Sequence, residues 1–113
     1  MSAAKRPLAD PAYEDLDAEV FNDGADRGWL SFGSWDGTEP STADGYAAAC
    51  ERQARELAGL AGLGSGAGKV VVEVGCGRGE ALRVWAASGA AGVTGVNVSE
   101  RECADASRRA REI

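Results

Sequence analysis

The chain has no histidine among its 113 residues and only three cysteines. Without histidine it lacks the side chain whose ordinary pKa best suits proton transfer near neutral pH. Cys50, Cys76 and Cys103 are widely spaced and odd in number, and no Cys-x-x-Cys pair occurs. That pattern excludes a disulfide framework and the common zinc sites, so no metal is expected, and it points to a reducing compartment. No apolar run approaches the about 20 residues that a membrane span needs. Residues Met1 to Pro7 lack the apolar core of a signal peptide, and the segment after them is too acidic for a transit peptide. A cytoplasmic protein with no membrane span is the expectation. Positive charge is also scarce, with 12 basic against 18 acidic side chains and a formal net charge of −6. Such a balance favours solubility and disfavours polyanions, so no nucleic-acid partner is expected. The one basic cluster, Arg108, Arg109 and Arg111, ends a helical pattern, where cations complement the helix dipole.

What is present is concentrated in Val70-Val71-Val72-Glu73-Val74-Gly75-Cys76-Gly77-Arg78-Gly79. A β-branched strand ends in a carboxylate, and three glycines follow at two-residue spacing. Glycine alone takes positive φ freely and lets a ligand approach the backbone closely. A strand running through such a loop into a helix is a cradle for a nucleotide-type cofactor. The pattern Glu-x-Gly-x-Gly-x-Gly resembles motif I of class I S-adenosylmethionine-dependent methyltransferases. The dinucleotide fingerprint Gly-x-Gly-x-x-Gly/Ala fits less well. Counted from Gly75, its third small residue falls on Glu80, a carboxylate beside the place where a pyrophosphate would dock. Cys76, inside the loop, lies near a helix N-terminus, where thiol pKa values fall. With no histidine to assist it, a small filler residue is the preferred reading.

Along the chain, Asp10-Pro11 reads as a helix start, and Tyr13, Leu16 and Val20 predict a helix near 11–22. The segment 23–40 is irregular and holds Trp29, Phe32 and Trp35, which act either as hydrophobic anchors on the core or as a lid over the cofactor. Ser41-Thr42-Ala43-Asp44 resembles a capping box. Tyr46, Cys50, Gln53/Ala54, Leu57 and Leu60/Ala61 then predict an amphipathic helix near 42–61. After the glycine-rich connector 62–68, residues 69–74 read as a strand apolar on both faces, suited to burial on both sides. A helix over 80–88 directs Leu82 and Trp85 toward the sheet, with Gly89 as its cap. Residues 92–98 read as a second strand, and Ser99-Glu100-Arg101-Glu102 as a capping box opening a last helix with Cys103, Ala106, Ala110 and Ile113 on one face. Residues 69–98 thus form a β-α-β unit, whose ligand belongs at the carboxyl ends of the strands.

The resemblance to methyltransferases extends further. Val93-Thr94-Gly95-Val96-Asn97-Val98-Ser99-Glu100 looks like the second-strand segment of the cyclopropane-fatty-acid synthase, tocopherol and sterol methyltransferase group. Ser31-Phe32-Gly33-Ser34-Trp35-Asp36 looks like the aromatic lead-in of that group, with Ser34 in place of the usual aromatic, and this shifts the reading of Trp29 to Trp35 toward a lid. Tyr13 sits where such enzymes often carry a tyrosine near the cofactor's methionine end. The implied fold class is α/β, the N-terminal portion of a Rossmann-like methyltransferase fold: N-terminal helices, one β-α-β unit and a following helix, with the sheet incomplete. Two regions are expected, an N-terminal helix with an aromatic lid segment over 1–40 and the first part of the cofactor-binding domain over 41–113.

The implied cofactor is S-adenosylmethionine, and the implied partner is a small-molecule methyl acceptor. The cofactor-binding residues implied are Glu73, Gly75, Cys76, Gly77, Gly79, Asn97, Val98, Tyr13 and Trp35. The amides opening the helix near Glu80 suit the cofactor's carboxylate, and Glu73 suits its ammonium. Asn97, at the tip of the second strand, suits the ribose diol, though without the charge-assisted bond an acidic residue would make. Class I enzymes keep most acceptor-site residues after their fourth strand, so no catalytic residue is assigned. At this length the chain reads as the N-terminal part of a longer protein or a truncated gene product, expected to self-associate through an exposed sheet edge. The alternatives are a non-catalytic half-fold that binds cofactor or a partner, and a nucleotide-dependent oxidoreductase.

Overall fold

A computed structural model describes residues 29, 31–37 and 43–111. The expected helix over 11–22, and Tyr13 with it, lie outside these residues. The described elements run α1 (Ala43–Ala61), a 3-10 turn (Leu63–Ser65), β1 (Val70–Val74), α2 (Glu80–Ala87), β2 (Gly92–Val96) and α3 (Glu100–Ala110). The architecture is α/β. The two strands pair in parallel, Val70 opposite Gly92 through Val74 opposite Val96, as a β-α-β unit requires. No described helix is long and apolar enough to cross a membrane.

The core forms where α1, α2 and the 3-10 turn meet one face of the sheet. Cys50, Ala54 and Ala58 of α1 are buried with Leu63, Val84, Trp85 and Trp29, and Val71 and Val93 pack beneath them. Helical neighbours lie about 100° apart, so the four-residue steps from Tyr46 to Ala58 share one stripe. That stripe is made of small side chains, and α1 packs against α2 along it. Leu57 and Leu60, expected on the core face, fall off the stripe, and Leu60 is 86% exposed. The connector is also more than a spacer. Gly62 and Gly66 flank the 3-10 turn in left-handed conformations, and the turn buries Leu63 in the core.

Burial of β1 on both faces is not what the structure shows. Val71 and Glu73 are half-buried, whereas Val70, Val72 and Val74 are exposed, Val74 at 83%. The register puts Val71, Glu73, Val93 and Gly95 on one face, and among the described residues the helices pack there. The opposite face, carrying Val70, Val72, Val74 and Val96, has no described element on it.

The loop between β1 and α2 is held from both sides. The N–H groups of Gly75 and Cys76 both donate to the Val96 carbonyl, at 2.7 and 3.1 Å, which ties the loop to the end of β2. Gly79 takes φ +83°, and α3 rests on it so closely that a Cβ there would meet Ala106 Cβ at 2.8 Å. The start of α3 forms as its sequence predicts, with the Ser99 hydroxyl accepting from the Glu102 N–H at 3.2 Å. Arg111 bonds the Ser107 carbonyl in the last turn, as the dipole argument expects. Arg109 behaves differently and reaches Glu80 at the start of α2.

Candidate functional site

The carboxyl end of β1, the glycine loop and the first turn of α2 wall a groove of about 100 Å³. Trp29 and Ser31 close its far side, and Glu73, Gly75, Cys76, Gly77, Arg78, Glu80 and Ala81 form the rest. Gly75, Gly77 and Gly79 all have positive φ, which turns the chain sharply from strand to helix. At Gly75 a Cβ would meet nothing within 4 Å, so that backbone lies open to approach. The first turn of α2 has Gly79 as its N-cap and no side-chain acceptor, which leaves donors at the groove's edge.

Glu73 enters this groove partly desolvated. Burial pushes its carboxyl above the usual carboxylate range, and a bond from the Trp85 indole opposes the shift. That bond runs from Trp85 Nε1 to Glu73 Oε2 at 2.8 Å. Cys76 is buried, and its thiol is pushed up first by burial and then by Cys103 and the acidic side chains of Glu73 and Glu102. Desolvation therefore outweighs the pull of the nearby helix start, and the thiol stays protonated and a poor nucleophile. Its sulfur lies against Gly95, where an added Cβ would come within 2.7 Å of it.

Four of the implied residues come together around the groove, and four others do not line it. Glu73, Gly75, Cys76 and Gly77 line the groove, while Gly79 is buried beneath α3. Asn97 and Val98 follow the tip of β2. The Asn97 amide donates to the Glu102 carboxylate, and its oxygen accepts from the Val98 N–H at 3.0 Å. Glu102 is only 1% exposed, so Asn97 is the partner of a buried carboxyl group as well as a strand-tip residue. Trp35 lies away from the groove. It stacks on Tyr46 with ring centroids 6.2 Å apart, and its indole N–H donates to the Phe32 carbonyl at 2.7 Å.

The aromatic segment divides accordingly. Trp29 is buried in the core and also lines the groove, so it is an anchor and a wall together. The chain after it is strapped along α1. Tyr46 donates to the Ser31 carbonyl at 2.7 Å, Ser34 N–H to the Ala49 carbonyl at 2.8 Å, and Gly33 N–H to Gln53 at 3.1 Å. Burial and its neighbour Cys50 raise the Tyr46 pKa to about 12, so this phenol is a fixed donor and not a base. Phe32 is left 93% exposed.

Helical spacing turns Trp85 toward the sheet and the capping box marks Glu102, but no local signal shows the bond of Trp85 to Glu73 or the pairings of Glu102 with Asn97 and of Arg109 with Glu80. Arg78, buried in the loop, lies 3.7 Å from Asp105 of α3. Glu80 is bound by Arg109 and lies 3.6 Å from Arg83. Paired in this way, its charge is partly compensated, and its repulsion of a pyrophosphate is weaker than its sequence position implied. Among the described residues no cluster of three or more potential metal ligands occurs. No protein-family model matches the chain, and no curated protein and no solved structure is similar to it at a significant level.

Proposed function

We propose that the chain carries the first half of an S-adenosylmethionine site in a Rossmann-like fold, serving methyl transfer to a small-molecule acceptor. One observation carries the reading: a glycine loop with three positive-φ residues sets a strand-end carboxylate and an uncapped helix start around one groove. The methionine end of the cofactor is a zwitterion, and these are its two complements. Glu73 takes the ammonium, and the first-turn amides of α2 take the carboxylate. The adenosine runs over Asn97 and Val98, where one amide N–H and one oxygen lone pair of Asn97 remain for the ribose. Methyl transfer from a sulfonium needs little activation of the leaving group, so the site's contribution is alignment. Binding residues, and not a base, are what this part of the chain supplies.

A dinucleotide remains the second reading, because Arg83 and Arg109 compensate Glu80. Calorimetric titration separates the two. Saturable binding of S-adenosylmethionine with none of NAD supports the methyl-donor site. Binding of NAD alone replaces it with an oxidoreductase site.

A further inference from the structure

The carboxylate that ends β1 is held from behind. Trp85 belongs to the buried core with Val84 and Trp29, so packing fixes its ring. An indole offers one donor and no acceptor, so its N–H can only point at an acceptor. Here that acceptor is Glu73 Oε2, at 2.8 Å. With Oε2 committed to the core, Oε1 is the oxygen left for the groove that Glu73 lines. We propose that Trp85 is a positioning residue for the cofactor site, orienting the Glu73 carboxylate so that one oxygen faces the groove to receive a ligand ammonium. The inference rests on the groove being the methyl-donor site.

Loss of the indole N–H raises the Glu73 pKa whatever Trp85 does for a ligand, so the readout that separates positioning from a purely structural role is ligand affinity at a pH where Glu73 is ionised. Burial raises the Glu73 pKa and the indole N–H lowers it, so loss of the N–H leaves only the raising influence. Among the described residues the other ionisable groups in the groove wall are Cys76 and Arg78 of the loop and Glu80 of α2, while the segment across the groove contributes the uncharged Trp29 and Ser31. An ammonium prefers the ionised carboxyl. Affinity should therefore fall as pH drops through the Glu73 pKa, and the fall should begin at higher pH without the indole N–H.

The test is titration of S-adenosylhomocysteine, which has the same amino-acid end, into wild type, Trp85→Phe and Glu73→Gln from about pH 4 to 8. Trp85→Phe should weaken binding about tenfold at neutral pH, as expected for a hydrogen bond to a charged group, and shift the acid limb upward. Glu73→Gln should lose the acid limb altogether. A folded Trp85→Phe with wild-type affinity at neutral pH overturns the inference and leaves the methyl-donor site standing. No binding by wild type overturns both. The wild-type chain offers a check that needs no variant, because the Trp85 indole N–H resonance should titrate with the Glu73 carboxyl and move when S-adenosylhomocysteine binds. An indole resonance indifferent to both overturns the positioning role even if the ligand binds.

Discussion

Gly79→Ala is the substitution whose cost the structure specifies most fully. Gly79 is buried, and its φ of +83° is left-handed. An L-residue there loses about 1–2 kcal/mol to the clash of its Cβ with the following carbonyl. The new Cβ would also sit 2.8 Å from Ala106 Cβ and 3.0 Å from Ala106 Cα on α3. Overpacking of this kind costs about 1–3 kcal/mol. The combined loss of about 2–5 kcal/mol is a large share of the about 5–15 kcal/mol that holds an ordinary domain together. Urea denaturation followed by tryptophan fluorescence measures it directly. Gly75→Ala is the control, because at φ +74° with nothing within 4 Å it carries only the backbone cost. Ala106→Gly placed in the Gly79→Ala background removes the 2.8 Å Cβ contact but keeps the 3.0 Å one to Cα, so it should recover part of the overpacking cost, less about 1 kcal/mol for glycine inside a helix. The two substitutions should therefore be coupled by more than about 0.5 kcal/mol. Equal losses for Gly75→Ala and Gly79→Ala, with an additive double variant, would show that α3 does not rest on the loop.

Three further outcomes follow from the same geometry. Asn97→Asp, which in isolation would add a charged acceptor for a ribose, instead sets a second carboxylate against buried Glu102. The pair would hold a proton more tightly when folded, so stability should fall as pH rises from about 4 to 7, and a pH-independent Tm would contradict the contact. Cys76, raised by burial, should react with iodoacetamide at least about tenfold more slowly in the native chain than in urea, as mass spectrometry of the labelled peptide would show. The valine face and sheet edge, open among the described residues, should drive self-association, and Val72→Lys with Val74→Lys should shift the chain toward monomer in sedimentation; a monomeric wild type refutes this.

The β-α-β unit was legible because its signals are local. A run of valines, three closely spaced glycines and a Ser-x-x-Glu box each constrain only their own few residues. The face of α1 was less legible. Its core stripe uses Cys50, Ala54 and Ala58, which compete poorly for notice with Leu57 and Leu60 although the small residues do the packing. Gly95 read as an ordinary strand residue, yet Cys76 and Leu82 both occupy the space its side chain would need. The partners that shape the groove were not legible, because Trp85 lies 12 positions from Glu73 and Arg109 lies 29 from Glu80. No periodicity links such pairs; only the folded chain brings them together. Trp29 and Trp35 look alike in sequence, but one is drawn into the core beside the loop and the other is tied to Phe32 and Tyr46.

The most direct measurement is an amide chemical-shift titration of the isotopically labelled chain with S-adenosylhomocysteine. A methyl-donor site in this groove predicts saturable shifts at Gly75, Gly77, Gly79, Glu80 and Ala81, with a second set at Asn97 and Val98, and little change along the outer face of α1 at Leu57 and Leu60. Shifts absent from the glycine loop, or centred on another surface, would contradict the assignment of this groove to the methyl donor.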